Sequence, residues 1–377
     1  MGHIPTDQGA GGEGKLVTIT TQVHTMADGR ELIYFDDADT SLSPTRNADP
    51  RDLEPRPETP QMRRDPLTGD WVSIVPTRQH RVMLPGGDSN PLVPQTATNP
   101  SEIPSNYDVV VFENRSPSFG PGVGGFEEPI GEPGFGDYRD AVGRCEVVCF
   151  SPDPAGSLGT QSVSRVRTVI EAWAHRSEAL SAMPGIEQVF VFENRGEAIG
   201  VTLHHPHGQI YGYPFVAPKT GRLLDSISRM GPTFFADLLE FEQASSRVVH
   251  ISENFVAFVP YAARWPLELH LLPRRHVPDI AGLTSDERDE LAVVYRSLLN
   301  GFDALYETPT PYISAWHQAP VNHSRDEVRL MLQITSPRRG ENKLKFLAGS
   351  EAAMGAFVGD VSPEEQAQSF RSALGSL

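Results

Sequence analysis

The run His205-Pro206-His207-Gly208-Gln209 puts a polar side chain at every second position, and that spacing constrains the chain more than any other feature of its sequence. Side chains alternate between faces along a β-strand, so this period predicts a strand with His205, His207 and Gln209 projecting to one side. Two imidazoles and one amide then share a surface. A neutral imidazole is a competent nucleophile near pH 7, and beside an amide donor it can attack an α-phosphorus and hold the nucleotide as a covalent adduct. His-x-His alone is common in metal sites and satisfied cores and by itself favours a structural role, so the motif gains its weight from its surroundings. Those surroundings are Asn194, Gly196, Gly200 and Thr202, in the stretch Asn194–Phe215.

Around that strand the sequence sets out a repeating order. Cys145–Phe150 reads as a buried strand, Ser162–Ala182 as a long helix with Val166, Val169, Ile170, Trp173 and Ala174 on one apolar face, and Gln188–Glu193 as a strand. A similar order recurs downstream. Strands NFVAFVP and LELHLLP lead to a helix over about Ser285–Tyr306, opened by a capping box from Thr284 to Glu287. Strands YISAWH and RLMLQITSP follow, and Leu330-Met331-Leu332-Gln333 falls where the first half has its histidines. The pattern predicts a degenerate duplication with the nucleophile in the first half only. The halves should pair into an extended antiparallel sheet with helices on one side.

Upstream, residues 1–60 hold Gly-rich and Pro-rich stretches with few apolar clusters apart from ELIYFDD (Glu31–Asp37), and predict a partly mobile extension that lies across the core. The compact part should begin near Arg63, with a turn at Pro66–Gly69, a strand over Trp71–Val75 and a loop bearing Arg78 and Arg81. A further strand is expected over Tyr107–Phe119. The divisions are 1–60, 61–218 and 219–377.

At 377 residues the chain can bury two domain-sized cores or one duplicated unit. A formal net charge of −17 argues against a nucleic-acid partner and repels phosphates on average, so any phosphate site must be local, built from a few Arg, Lys and backbone N–H groups. There is no apolar run of membrane-spanning length, and the start of the chain lacks a basic-then-apolar leader pattern, so a cytoplasmic protein without a membrane partner is expected. Cys145 and Cys149 lie four apart on one strand, a poor geometry for a disulfide.

The His-Pro-His-Gly-Gln neighbourhood resembles the histidine-triad superfamily and, within it, the galactose-1-phosphate uridylyltransferases. The likeness spans about Arg63–Leu374, with Trp265, Pro266, Trp316 and His317 carrying it in the second half. Hydrolase branches usually have His at the third polar position, whereas the transferases have Gln, as at Gln209. The resemblance implies an α+β fold of duplicated histidine-triad-like halves forming an extended antiparallel sheet with helices packed on it. It implies a homodimer that moves UMP between UDP-glucose and galactose 1-phosphate, in galactose metabolism, through a uridylyl-histidine intermediate.

On that resemblance His207 is the nucleophile, oriented by a backbone carbonyl near His205, and Gln209 bonds a phosphoryl oxygen. Arg78 and Arg81 contact the diphosphate, Phe112 packs on the base, and Asn114 bonds base or ribose. Asn194 and Thr202 bind phosphates. Lys345, Phe346 and Glu351, in GENKLKFLAGSE, belong to the segment that reaches the partner subunit's hexose, with Lys345 for phosphate and Glu351 for sugar hydroxyls.

The pattern breaks at the metals. Where many members hold zinc with a Cys-x-x-Cys pair and a later His, this chain has Asn90-Pro91-Leu92-Val93 and Pro154, leaving His205 alone. A tetrahedral zinc needs four good ligands, so none is expected. The ligands of a second metal, iron in some members, align with Leu223, Met331 and Gln333, while His317, a ligand in some members, is expected to be a satisfied buried or interfacial histidine. In the sugar pocket Ser350 and Phe357 replace the Tyr and Gln of some members. Two other readings stay open on the sequence: an adenine-nucleotide transferase or phosphorylase using the same His207, and a relic that binds nucleotide sugars without turnover.

Overall fold

The computed structural model describes residues 18–56, 58–76, 89–121, 130–132 and 135–377. In chain order the first strands are β1 (Thr20–Thr25), β2 (Glu31–Asp36), β3 (Gln61–Arg64), β4 (Trp71–Ile74), β5 (Val109–Glu113), β6 (Ile130–Glu132), β7 (Phe135–Asp140) and β8 (Arg144–Cys149). Helix α1 (Val163–Ser181) precedes β9 (Gln188–Arg195) and β10 (His207–Tyr213), and α2 (Pro218–Met230) and α3 (Phe234–Gln243) follow. Then come β11 (Val248–Ile251), β12 (Phe255–Phe258), β13 (Leu267–Pro273), α4 (Ser285–Asp303), β14 (Tyr312–His317), β15 (Met331–Ser336), β16 (Arg338–Gly340), β17 (Lys343–Leu344) and α5 (Pro363–Leu374).

Eleven of these strands form one sheet in the order β1-β2-β5-β8-β10-β9-β14-β15-β13-β12-β11. Its centre reads the same from either end: β5-β8-β10-β9 meets β14-β15-β13-β12, with α1 between β8 and β9 and α4 between β13 and β14. The expected duplication is therefore visible in the topology. The halves are joined by antiparallel pairing of β9 with β14, where Tyr312 faces Arg195 and Ala315 faces Phe192. In this symmetry β15 is the counterpart of β10, so Met331 and Gln333 occupy the positions of His207 and Gln209.

The long helices form where the sequence places their caps. The Ser162 side chain accepts from the Arg165 N–H, and Thr284 and Glu287 close a reciprocal capping box. Val166, Val169, Ile170 and Trp173 are all buried against the sheet. The Trp173 ring meets Phe150, Tyr295 and Trp316 at centroid distances of 6.1, 5.9 and 6.2 Å, tying α1, α4 and both halves into one core. Burying side chains of this size contributes about 1.5–3 kcal/mol apiece.

Three expectations change in detail. Residues 20–36 lie against the core as regular strands: β1 and β2 form a hairpin turned at Gly29, and β2 pairs with β5, setting Leu32 opposite Phe112. The reason is compositional, since Leu32 and Tyr34 bury to one side of β2 and Ile33 and Phe35 to the other, as an inner strand requires. The helices do not all sit on one side. α1, α4 and α5 cover one face, whereas α2 and α3 bury Ile227, Phe235 and Leu239 on the opposite one. They can do so because β12 is apolar on both faces: Phe255 and Ala257 point to α4, Val256 and Phe258 to α3.

The strand expected over Tyr107–Phe119 is also shorter, because Asn114 turns the chain: its side-chain oxygen accepts from the Ser116 N–H at 3.0 Å. Beyond it, the four-stranded sheet β4-β3-β7-β6 covers part of the face opposite α1, with Met62 and Phe119 buried beside Cys145. Cys145 and Cys149 are buried and not disulfide-bonded. No described helix is long and apolar enough to cross a membrane.

Candidate active site

β10 alternates as its sequence requires. Gly208, Ile210 and Gly212 are buried toward α1, while His207, Gln209, Tyr211 and Tyr213 lie half-buried on the other face. Pairing carries that second face across the sheet: Phe112 is opposite Val147, Val147 opposite Gln209, and Gln209 opposite Phe192. Phe112 and Gln209 thus share one row two strands apart, roughly 10 Å at normal strand spacing. Phe112 is buried with Tyr107 and Val110, and Leu203 packs against them. Asn194, two residues beyond Phe192 on the same face of β9, comes level with His207. Thr202 is half-buried on the connection into β10.

His205 departs from the predicted geometry, since the strand begins only at His207. Pro206 is held by its carbonyl, which accepts from the Phe150 N–H at 3.0 Å. The His205 ring, 5% exposed, is enclosed by three partners. Its Nε2 is 2.7 Å from the Ser151 carbonyl oxygen and 3.1 Å from Tyr107 Oη, and its Nδ1 is 3.2 Å from Asn90 Nδ2. A carbonyl only accepts, so Nε2 carries the hydrogen and Nδ1 accepts from the Asn90 amide. The amide is oriented by its other end, where Oδ1 accepts from the Leu92 N–H at 2.9 Å. Burial holds this imidazole neutral, at a pKa of about 4.

The backbone of the same residue sets the tautomer of His207. His207 Nδ1 is 2.6 Å from the His205 carbonyl oxygen, so Nδ1 carries the hydrogen and the lone pair is on Nε2. Burial also lowers the His207 pKa below the ordinary value. The next residue must be glycine: a Cβ on Gly208 would come within 2.9 Å of both Phe150 Cζ and the Phe192 carbonyl oxygen.

The approach from Asn194 is shaped by two glycines of positive φ, Gly196 at 96° and Gly200 at 84°, which bracket a single turn over Glu197–Ile199. His204 and Glu197 are paired across this loop at 2.8 Å, a contact between exposed residues that sequence reading did not anticipate. Asn114 uses its side-chain oxygen in the turn to Ser116, which leaves its amide nitrogen as the donor. Arg78 and Arg81 lie outside the described residues.

Lys345, Phe346 and Glu351 form a group of their own. Among the described residues no hydrogen bond or ion pair joins them to His207 or Gln209. The Lys345 ammonium, expected at a phosphate, is engaged within the chain by Asp360 at 3.1 Å, by Glu351 at 3.5 Å and by the carbonyls of Arg264 and Val358. Phe346 is 76% exposed beside it. Ser350 Oγ donates to the Ala356 carbonyl at 2.7 Å, and Phe357 lies against Trp265.

A histidine of fixed tautomer, an amide two residues on and Phe112 in the same row thus lie on one face of the sheet. Residues 51–217 match the family model for the N-terminal domain of galactose-1-phosphate uridyl transferase, and residues 224–375 match that for its C-terminal domain. The chain belongs to the galactose-1-phosphate uridylyltransferase family. It is 44% identical over 327 residues to a galactose-1-phosphate uridylyltransferase of Streptomyces lividans, covering 83% of this chain and 86% of the relative. A Thermotoga maritima protein of the same name is 32% identical, covering 82% and 98%. A solved structure described as a uridylyltransferase superposes with a TM-score of 0.75 at 29% identity, over 84% of this chain and 99% of that one. As a member of this family the protein is a uridylyltransferase enzyme.

The metals of other family members meet unsuitable residues here. At the zinc position Asn90 presents its amide nitrogen, Val93 and Pro154 have no donor side chain, and both His205 nitrogens already have partners. At the second position Leu223 and Met331 belong to an apolar cluster. There Gln333 Oε1 accepts from the Lys219 ammonium, which also lies 3.4 Å from His317 Nε2. The Gln333 amide donates to Glu268 at 2.7 Å and Glu268 reaches His270 at 3.1 Å. A lysine cation thus stands among the residues that a metal ion would need. His317 is a satisfied histidine, its pKa lowered to about 3 by burial and by the Lys219 charge.

Proposed function

We propose that the enzyme exchanges UMP between UDP-glucose and galactose 1-phosphate in two steps through a uridylyl adduct on His207 Nε2. One observation carries this: the 2.6 Å contact from His207 Nδ1 to the His205 carbonyl, which fixes the tautomer that leaves Nε2 free to attack. The Nε2 lone pair attacks the α-phosphorus, the bond to the bridging oxygen breaks, and glucose 1-phosphate departs. The adduct leaves the imidazole cationic, with its Nδ1 hydrogen still on the His205 carbonyl. A phosphate oxygen of galactose 1-phosphate then attacks the same phosphorus, giving UDP-galactose and neutral His207.

Gln209 supports the choice of acceptor. An amide can donate to a phosphoryl oxygen but cannot take a proton from water, so the adduct persists until a sugar phosphate arrives. Phe112 and Asn114 serve the nucleoside, and Asn194 and Thr202 the phosphates, with Arg78 and Arg81 as their cationic partners. We place Lys345, Phe346 and Glu351 in the hexose site of a second copy in a homodimer, a reading supported by the exposure of Phe346 and the separation of this group from His207 within one chain. The enzyme would work in the cytoplasm.

Intact mass after incubation with UDP-glucose alone tests the proposal. One uridylyl group should appear, disappear on adding galactose 1-phosphate, and be absent from His207→Gly. An adduct formed from ADP-glucose but not UDP-glucose would transfer the same chemistry to adenine nucleotides, and no adduct with either would overturn it.

A further inference from the structure

We infer that Tyr107 and Asn90 are positioning residues for the nucleophile, holding His205 by hydrogen bonds alone at the place where other family members use a metal. The inference rests on His207 being the nucleophile and adds the residues that aim it. The Tyr107 Oη hydrogen faces two carbonyls, Leu92 at 2.6 Å and Ser151 at 2.8 Å, and the phenol oxygen lies 3.1 Å from His205 Nε2, whose hydrogen also reaches the Ser151 carbonyl at 2.7 Å. Asn90 donates to Nδ1, and its own backbone carbonyl is held by Asn99 Nδ2 at 2.8 Å. The three segments that meet at this ring come from different parts of the fold: the loop at residues 90–92, the entry to β5, and the exit from β8.

The ring and the carbonyl of His205 belong to one residue followed by a proline, so the freedom left to that carbonyl is small once the ring is fixed. The carbonyl in turn is what His207 Nδ1 donates to. Ring, carbonyl and nucleophile therefore form one chain of contacts, Tyr107 and Asn90 to His205 to His207. A zinc ion at this ring would need a lone pair that Nδ1 already commits to Asn90 or that Nε2 does not have.

Single-turnover formation of the adduct from UDP-glucose, followed by intact mass in Tyr107→Phe and Asn90→Ala, separates positioning from folding. The amplitude counts folded molecules, while the rate constant reads the aim of His207. The rate constant should fall about ten- to a hundred-fold in each variant, with the UDP-glucose concentration for half-maximal rate unchanged within about two-fold. Nitrogen-15 spectra of histidine-labelled protein should show His207 as the single Nδ1–H tautomer in the wild type and a mixture in the variants. Wild-type rate constants in both variants, whatever their amplitudes, would overturn the inference. So would one equivalent of zinc retained by the wild type after dialysis against zinc, with a raised Tm; the expected result is no stoichiometric zinc and an unchanged Tm. If the wild type forms no adduct, the proposed function fails by itself, and the tautomer spectra still decide the positioning.

Discussion

Tyr211 Oη donates to Gln209 Oε1 at 3.1 Å, a bond between two neighbours on the same face of β10. It settles which way the amide points, since the oxygen is taken and Nε2 is turned out as a donor toward the face that His207 shares. Gln209→Glu replaces that donor with a charged acceptor and should slow adduct formation by about 10²–10³-fold, the usual effect of losing one donor to a developing phosphoryl charge. Tyr211→Phe removes only the orienting bond, which is worth about 1 kcal/mol, and should slow the step about five-fold. Single-turnover rates from UDP-glucose check both. Equal losses in the two variants would mean that Gln209 acts through its place in the sheet and not as a donor.

Gly208 sits between His207 and Gln209 with Phe150 and the Phe192 carbonyl at its back. In Gly208→Ala the Phe192 oxygen cannot yield without breaking the β9–β10 ladder, so overpacking should cost about 1–3 kcal/mol of stability. Because β10 would have to shift outward, activity per folded molecule should fall as well. Urea unfolding together with single-turnover rates tests this, and an alanine variant as stable and as fast as wild type would show that Phe150 can swing aside.

Protonated Nε2 has no lone pair, so adduct formation should fall as pH drops through the His207 pKa. Burial puts that pKa below the ordinary imidazole value of about 6.5. The falling limb of the rate from UDP-glucose should therefore be centred below pH 6.5. A limb centred at or above pH 6.5 would mean that the imidazole is stabilised as a cation before substrate binds.

The sequence displayed the centre of the molecule far better than its borders. Strands with one-sided alternation, such as β10, and helices with caps at Ser162 and Thr284 carry their own signals, and the duplication followed from their order. The β1–β2 hairpin was hidden because Gly-rich and Pro-rich neighbours surround an apolar cluster that makes sense only once β5 is there to receive it. The sides taken by α2 and α3 depend on β12 being apolar on both faces, a pattern that four residues of sequence do not distinguish from a buried run. At the site, the His-Gln pair was legible because its chemistry is local. The support of His205 was not, since Asn90, Tyr107 and Ser151 are brought together only by the sheet, and an asparagine before a proline has no signal of its own.

Glu193, on the helix-facing side of β9, is a buried carboxyl with a single neutral donor: Tyr312 Oη reaches Oε1 at 3.1 Å, and Oε2 has no partner. Burial raises its pKa to about 7, against the opposing pull of Arg195. The folded state therefore holds a proton that the unfolded chain releases above its own value near 4.5. Stability from this group is complete below pH 4.5 and is lost as pH rises toward 7, at about 1.4 kcal/mol per unit. Glu193→Gln removes the titration but keeps an oxygen for Tyr312. Relative to wild type, the variant should gain about 2–3 kcal/mol between pH 5 and pH 8, whatever constant offset the buried amide introduces. Urea midpoints at the two pH values measure that difference, and parallel behaviour of the two proteins would show that Glu193 ionises in the folded state as readily as in the unfolded chain.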